Sequence, residues 1–366
     1  MRRENINRSR RNNLNHNTMS TINVDIVNPQ STPSVTVNGI IMSSYAGSNF
    51  NIGSLQTGMT VGANNNTSVG SSAGSSITTG FQNTAVGTSA LPSCTTGQNN
   101  VAVGPSSLQN LTTGSDNIAI GRFAAYTQPS GGDTIAIGSN VLKDCTNGTN
   151  LGMGTNTLLS LITGFTNVAI GRNSGQGLTS GTGNTFLGAQ SGQAIITGNQ
   201  NTVVGFSAGD ATFLNGSNNT IIGYNAEASS SSASNQITLG NASVTSLRCA
   251  VTSITSLSDE RDKDEITDLS AGLDFINEIK PVSFTWNDRD EEGKHNIKDS
   301  GFTAQNLKEV QEKYNLSDEL KLVYEDNPEK LEASYGRLIP VLVKAIQELS
   351  SEVKSLKEEL ETLKNK

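Results

Sequence analysis

Between residues 49 and 241 one short pattern returns with an almost constant period, and that period decides most of what the chain can fold into. It is seen as GFQNTAVG, GQNNVAVG, GSDNIAIG, GFTNVAIG, GTGNTFLG, GNQNTVVG and GSNNTIIG. The closing glycines run from Gly53 to Gly240 and are separated by eleven intervals, nine of seventeen residues, one of sixteen and one of eighteen. Such regularity is the signature of a solenoid, in which each repeat is one turn stacked on the next. Seventeen residues is too short for a pair of helices, and glycine is a poor helix former, whereas short strands and tight corners fit. The expectation is a β-solenoid or β-roll of about twelve turns, rising roughly 50 Å over the eleven intervals at about 4.8 Å per turn.

Three columns of the repeat carry physical meaning. The residue before each closing glycine is apolar in all twelve units, from Ile52 and Val69 to Ile222 and Leu239, and is expected to stack as the interior of the coil. Four places before the glycine stands Asn in ten of twelve units, with Thr134 and Gln236 as exceptions, a position suited to a side-chain amide ladder. The glycines supply positive φ at corners. No flat T-x-T array recurs at the period, which argues against an ice-binding face.

Composition breaks sharply near residue 257. Of 37 glycines, 33 precede position 258, while 42 of the 58 charged residues lie in the last 109. The net charge of −8 sits in this C-terminal part, with 26 Asp and Glu against 16 Lys and Arg, so a general nucleic-acid binder is not expected. The exception is the first eleven residues, where Arg2, Arg3, Arg8, Arg10 and Arg11 lie among Asn and Ser. Residues 1–48 read as a disordered basic tail and lead-in, either a solvated leader or an arm that docks on an acidic partner or particle. No apolar run is long enough to span a membrane and no secretory signal is recognisable, so synthesis in a host cytoplasm is expected. Cys94, Cys145 and Cys249 are widely spaced, and with only His16 and His295 besides, neither a disulfide framework nor a metal site is indicated and no cofactor is expected. Residues 242–257, poor in charge and rich in small and β-branched residues, read as a short β neck.

Residues 49–241 resemble the head repeats of trimeric autotransporter adhesins and of phage and large-virus fibres, which share an N-x-A-[VI]-G core. The resemblance implies a homotrimer of rolls packed side by side, and a host-surface receptor or glycan as ligand.

From Ser258 onward the text changes. The blocks SDERDK, KPVSFTW, GFTAQ and LIPVLVKAIQEL resemble, in the same order, the intramolecular chaperone and auto-processing domain found at the C-termini of endosialidase and other phage tail spikes. The resemblance covers residues 258–366 and implies a small α+β domain that drives trimer folding and is released by self-cleavage. Carried onto this chain, the cut lies between Leu257 and Ser258, with Ser258 as nucleophile and Lys263 as base. A hydroxyl needs a base to become nucleophilic, and a lysine serves once burial disfavours its charged form. Asp259 and Arg261 are supporting residues, Arg261 as the partner of an acid or both as solvated loop charges. Trp286 is expected in the core beside Phe284. The last block reads as a helical coiled coil over 341–364, with Leu342, Ile346, Leu349, Val353, Leu356, Leu360 and Leu363 as its seam. The β-branched residues at one core position point to two strands, the resemblance to three.

Three functions compete. One is a virion or extracellular fibre matured by autoproteolysis, a second the same fibre with an inactive, retained chaperone. The third is a glycan-degrading spike, disfavoured because residues 12–257 hold only six scattered acids and glycoside hydrolysis calls for a facing pair.

Overall fold

The computed structural model describes residues 34–37, 40–45, 49–53, 64–146, 148–210, 215–250, 256–287 and 295–365. The Arg-rich tail and most of residues 1–48 lie outside them. Twelve strands, from Asn49–Ile52 to Ile237–Leu239, pair in sequence order as one parallel ladder. The register advances by one repeat per step: Ala102 pairs with Ala119, and Ala119 with Ala136. The chain is therefore a β-solenoid, followed by a small C-terminal region ending in a long helix. An antiparallel hairpin, Ser34–Val37 with Ile40–Tyr45, adds to the first turn. Sequence reasoning placed that segment in a structureless lead-in. The signal was there in the sequence Asn38-Gly39, a favoured hairpin dipeptide, between the runs SVTV and IIM.

Which apolar column faces inward is the main correction. All but the first of these strands are only three residues long, and side chains alternate. The middle residue is the buried one: Ala85, Ala102, Ala119, Ala136, Ala169, Phe186, Val203 and Ile221 are fully enclosed. The residue before the glycine points outward instead, with Ile120, Met153, Ile170, Leu187, Ile222 and Leu239 between 37% and 52% exposed. The interior is narrow and filled by complementary volumes. Phe186 takes the place of an alanine where the facing positions are Gly175 and Gly192, at each of which a Cβ would come within 2.6 Å of its ring. At Gly152 the reverse holds, because Val141 occupies the space and would lie 2.5 Å from a Cβ there. Close packing at constant volume thus runs along the coil.

The amide ladder is present and almost fully satisfied. Asn66, Asn83, Asn100 and Asn117 each donate from Nδ2 to Oδ1 of the preceding rung at 2.9–3.1 Å. Their second amide hydrogen goes to a carbonyl of the neighbouring corner at 2.9 Å. A second run, Asn150 to Asn219, repeats this. Between them Thr134 has no amide, and the gap is bridged from another column. Gln128, standing where other turns have Cys94, Leu111 or Leu161, donates from Nε2 to Asn117 Oδ1 at 3.1 Å and Thr134 Oγ1 at 3.2 Å. On the far side Asn150 turns to Cys145 Sγ at 3.7 Å. The corner glycine is required where turns touch: at Gly87, with φ +131, a Cβ would sit 2.8 Å from the carbonyl carbon of Gly104.

After the last solenoid strand, the described neck residues 242–250 and 256–257 carry no strand. The C-terminal region comprises α1 (Leu273–Glu278), α2 (Ala304–Lys313), α3 (Ser317–Leu320) and α4 (Leu338–Lys364), with a ribbon of Val282–Asn287 against His295–Gly301. Phe275, Leu307, Val310, Leu320, Leu322, Leu338 and Val341 form its core. Glu348 of α4 accepts the backbone N–H of Leu273 at 2.7 Å and so caps α1, whose own N-cap is Gly272. Trp286 does not enter this core. It lies 39% exposed on the ribbon, edge-on to Phe284 at 5.2 Å, with Nε1 donating to Asp299 Oδ2 at 3.1 Å. A two-stranded ribbon has room to bury only what its neighbours cover, and Trp286 stands beyond them.

Candidate functional site

The first residues after the neck form one tight turn. Asp259, at φ −68° and ψ 132°, caps a single 3₁₀ turn over Glu260–Asp262 by accepting the Arg261 N–H at 3.0 Å. The Arg261 guanidinium folds back on the same carboxylate, with Nε 3.0 Å from Oδ1 and a terminal nitrogen 2.5 Å from Oδ2. That paired guanidinium holds the Asp259 carboxyl below its ordinary range, and the carboxylate in turn raises Arg261. The chain leaves the turn extended at Lys263, whose N–H bonds to Glu260 O at 3.1 Å. Reversed in this way, it brings two residues five apart in sequence into contact. Lys263 Nζ lies 2.7 Å from Ser258 Oγ and 3.3 Å from Ser258 O.

Of the residues singled out in sequence, Ser258 and Lys263 meet directly, and Asp259 and Arg261 pair with one another beside them. Leu257, on the other side of the Leu257–Ser258 bond, is fully exposed, so the peptide bond projects into solvent. What the single chain does not supply is enclosure. Ser258, Lys263 and every residue from Leu257 to Asp268 are exposed, whereas the chemistry expected of the lysine calls for burial. The role of Asp259 as holder of the turn was not recognised in sequence. Its signal is an Asx residue two before an arginine, a local capping pattern.

The second exposed feature is α4. Its first turns pack inward through Leu338, Val341 and Ala345. From Leu349 to Asn365 every residue is exposed. All seven seam residues lie between 41% and 66% exposed, a continuous apolar stripe on an unaccompanied helix. Among the described residues no group of His, Cys, Asp and Glu is placed to hold a metal, and no helix is long and apolar enough to cross a membrane.

No curated protein and no solved structure matches the chain. One family model does, and its match opens at the serine of the contact just described: residues 258–316 match a peptidase family described as the chaperone of endosialidase.

Proposed function

We propose that the chain is a subunit of a homotrimeric fibre, borne on a virus or phage particle, whose C-terminal domain drives assembly and is then released by self-cleavage between Leu257 and Ser258. The observation that carries this reading is the 2.7 Å contact of Lys263 Nζ with Ser258 Oγ at the first residue of the family match. In the reaction, neutral Lys263 takes the Ser258 hydroxyl proton as Oγ adds to the Leu257 carbonyl carbon. The bond from that carbon to the Ser258 nitrogen breaks, the lysine returns the proton to the amine, and an ester joins Leu257 to Oγ. Water then opens the ester, leaving a carboxylate on Leu257 and restoring the hydroxyl.

Assembly supplies what one chain lacks. Copies packed on the α4 seam cover the apolar stripe, and copies packed on the outward strand faces cover the column of Ile120, Ile170 and Ile222. Closure of the same copies around the turn would desolvate Lys263, so cutting would follow correct assembly and report on it. The N-terminal tail is then the natural particle attachment, and the exposed solenoid the surface offered to a host receptor or glycan. A second reading, a fibre that retains an inactive chaperone, draws on the exposure of the dyad. Intact mass of denatured full-length protein beside Ser258→Ala decides between them. A fragment beginning at Ser258 in the wild type and absent from the variant is expected. Uncut wild type in a well-folded assembly would remove the cleavage step.

A further inference from the structure

The charges flanking the α4 seam specify how copies of this helix face each other. With Ile346, Val353 and Leu360 at one core position and Leu342, Leu349, Leu356 and Leu363 at the other, the positions on either side of the seam follow from the heptad. Glu352 and Glu359 fall on the flank that precedes the first core position. Lys357 and Lys364 fall on the opposite flank, following the second. Each glutamate is followed five residues on by one of these lysines, the offset that brings the two flanks together between neighbouring parallel helices in register.

The helix itself gives the glutamates nothing to pair with. Three and four residues either side of Glu352 stand Leu349, Ser355, Glu348 and Leu356; around Glu359 they are Leu356, Thr362, Ser355 and Leu363. No base lies within reach along the helix. This contrasts with Lys344, which meets Glu348 at 3.7 Å on its own helix. Lys364 does touch Glu361 at 3.4 Å, in an exposed contact of the kind that exchanges readily. The two charged flanks begin where α4 leaves its own domain. One heptad earlier the same two positions are Ala345 and Ser350, the former buried against the domain body. An antiparallel arrangement would set glutamate against glutamate and lysine against lysine.

We infer that α4 associates with copies of itself in parallel and in register, with Glu352 of one copy against Lys357 of the next and Glu359 against Lys364. The partner is thus the same chain, and the ionic flanks fix its direction and alignment while the apolar seam supplies the attraction. This rests on the self-assembly reading above. One consequence is that the cleavage turns of all copies stand at one level.

The test uses the full-length chain with Ser258→Ala, so that the helix stays attached. Into it go either Glu352→Lys with Glu359→Lys, or those two together with Lys357→Glu and Lys364→Glu. All four side chains are exposed, so the fold of one chain is untouched. Self-association is followed by sedimentation across a dilution series at low and high salt. The half-reversed chain should associate at least about tenfold more weakly at low salt, since every flanking pair becomes a repulsion, and the deficit should shrink at about 1 M salt. The fully swapped chain should return to within about threefold of the parent, its pairs restored with signs exchanged. A half-reversed chain as tight as the parent, or a full swap no tighter than the half-reversal, would overturn the parallel register. A parent that stays monomeric at every concentration would instead sink the assembly reading on which the inference rests.

Discussion

The solenoid and the C-terminal region solve opposite problems. In the solenoid each Asn that follows another Asn rung gives its amide hydrogens to that rung and a corner carbonyl, and inward side chains such as Phe186 and Val141 meet volumes fitted to them, so the interior is closed within one chain. In the C-terminal region the small core is closed too, but the parts with functional meaning are open: the stripe on α4, the Ser258–Lys263 contact and the Leu257–Ser258 bond all face solvent. One part of the molecule closes its interior within a single chain; the other leaves an apolar stripe and a serine–lysine contact exposed. A region that finishes itself suits a shaft; one that does not suits a sensor of assembly.

The largest expected effect breaks the comparison at its open end. Lys263→Ala should abolish the appearance of a Ser258-initiated fragment on intact mass while leaving the assembly state unchanged by sedimentation. Persisting cleavage would mean that another base acts on Ser258.

At the closed end, Phe186→Ala should cost about 3–5 kcal/mol in denaturant unfolding, the usual range for emptying a buried aromatic site. Adding Gly192→Leu should recover part of that loss, because other turns place leucine at the matching position, as at Leu108 with φ 47° and Leu158 with φ 49°. Failure of the pair to beat the single variant would show that the turns are not interchangeable in volume. Asn100→Ala should cost less, about 1–3 kcal/mol, through loss of the acceptor for the Asn117 N–H and Nδ2 and of the donor to Gly114 O, while Asn83 Oδ1 keeps the backbone N–H of residue 100.

Smaller again is the effect at the turn. Asp259→Asn keeps an acceptor for the Arg261 N–H but gives up the charged pairing, and should slow cleavage severalfold without altering fold or assembly. Asp259 is held below its ordinary range by Arg261, so its contribution is present above that range and fades as pH falls through the depressed value. The advantage in cleavage rate of the wild type over Asp259→Asn should therefore shrink as pH falls through that depressed value, read from paired time courses at stepped pH.

The least expected change separates the cysteines. Burial pushes the Cys94 thiol up to about 11 from 9.0. Folded protein then holds this proton more tightly than unfolded chain, so the contribution to stability is whole below pH 9 and is lost on rising towards 11. At mildly alkaline pH a thiol reagent should mark exposed Cys249 first, with Cys94 and Cys145 protected until the solenoid unfolds.

How legible was all this in sequence? The period, the corners and the amide ladder were, because each repeats and each has one chemical meaning. The facing of the apolar columns was not. A three-residue strand such as Ile118–Ile120 offers too short an alternation to set its phase, and both its middle and last residues are apolar. The cue lay in size: the inward column is mostly alanine because a narrow coil has no room for more, as Gly152 beside Val141 shows. The pairing of Gln128 with Thr134 was equally hidden, since the compensating residue sits in a different column. At the site, Ser258 and Lys263 were identified through motif resemblance. Their exposure was not foreseen, because a local motif records which groups a turn brings together and not what covers the turn.

The ladder of amides also makes the molecule a ruler. Length along the shaft is counted in rungs, since a rung accepts from its neighbour on one side and donates on the other, and a fractional turn would leave both unmatched. Excising one repeat within the run from Asn150 to Asn219 rejoins like to like and shortens the shaft by about 4.8 Å. Excising the turn between Gly121 and Gly138 would remove Thr134 and Gln128 together and set Asn117 beside Asn150, one rung shorter and with the ladder unbroken.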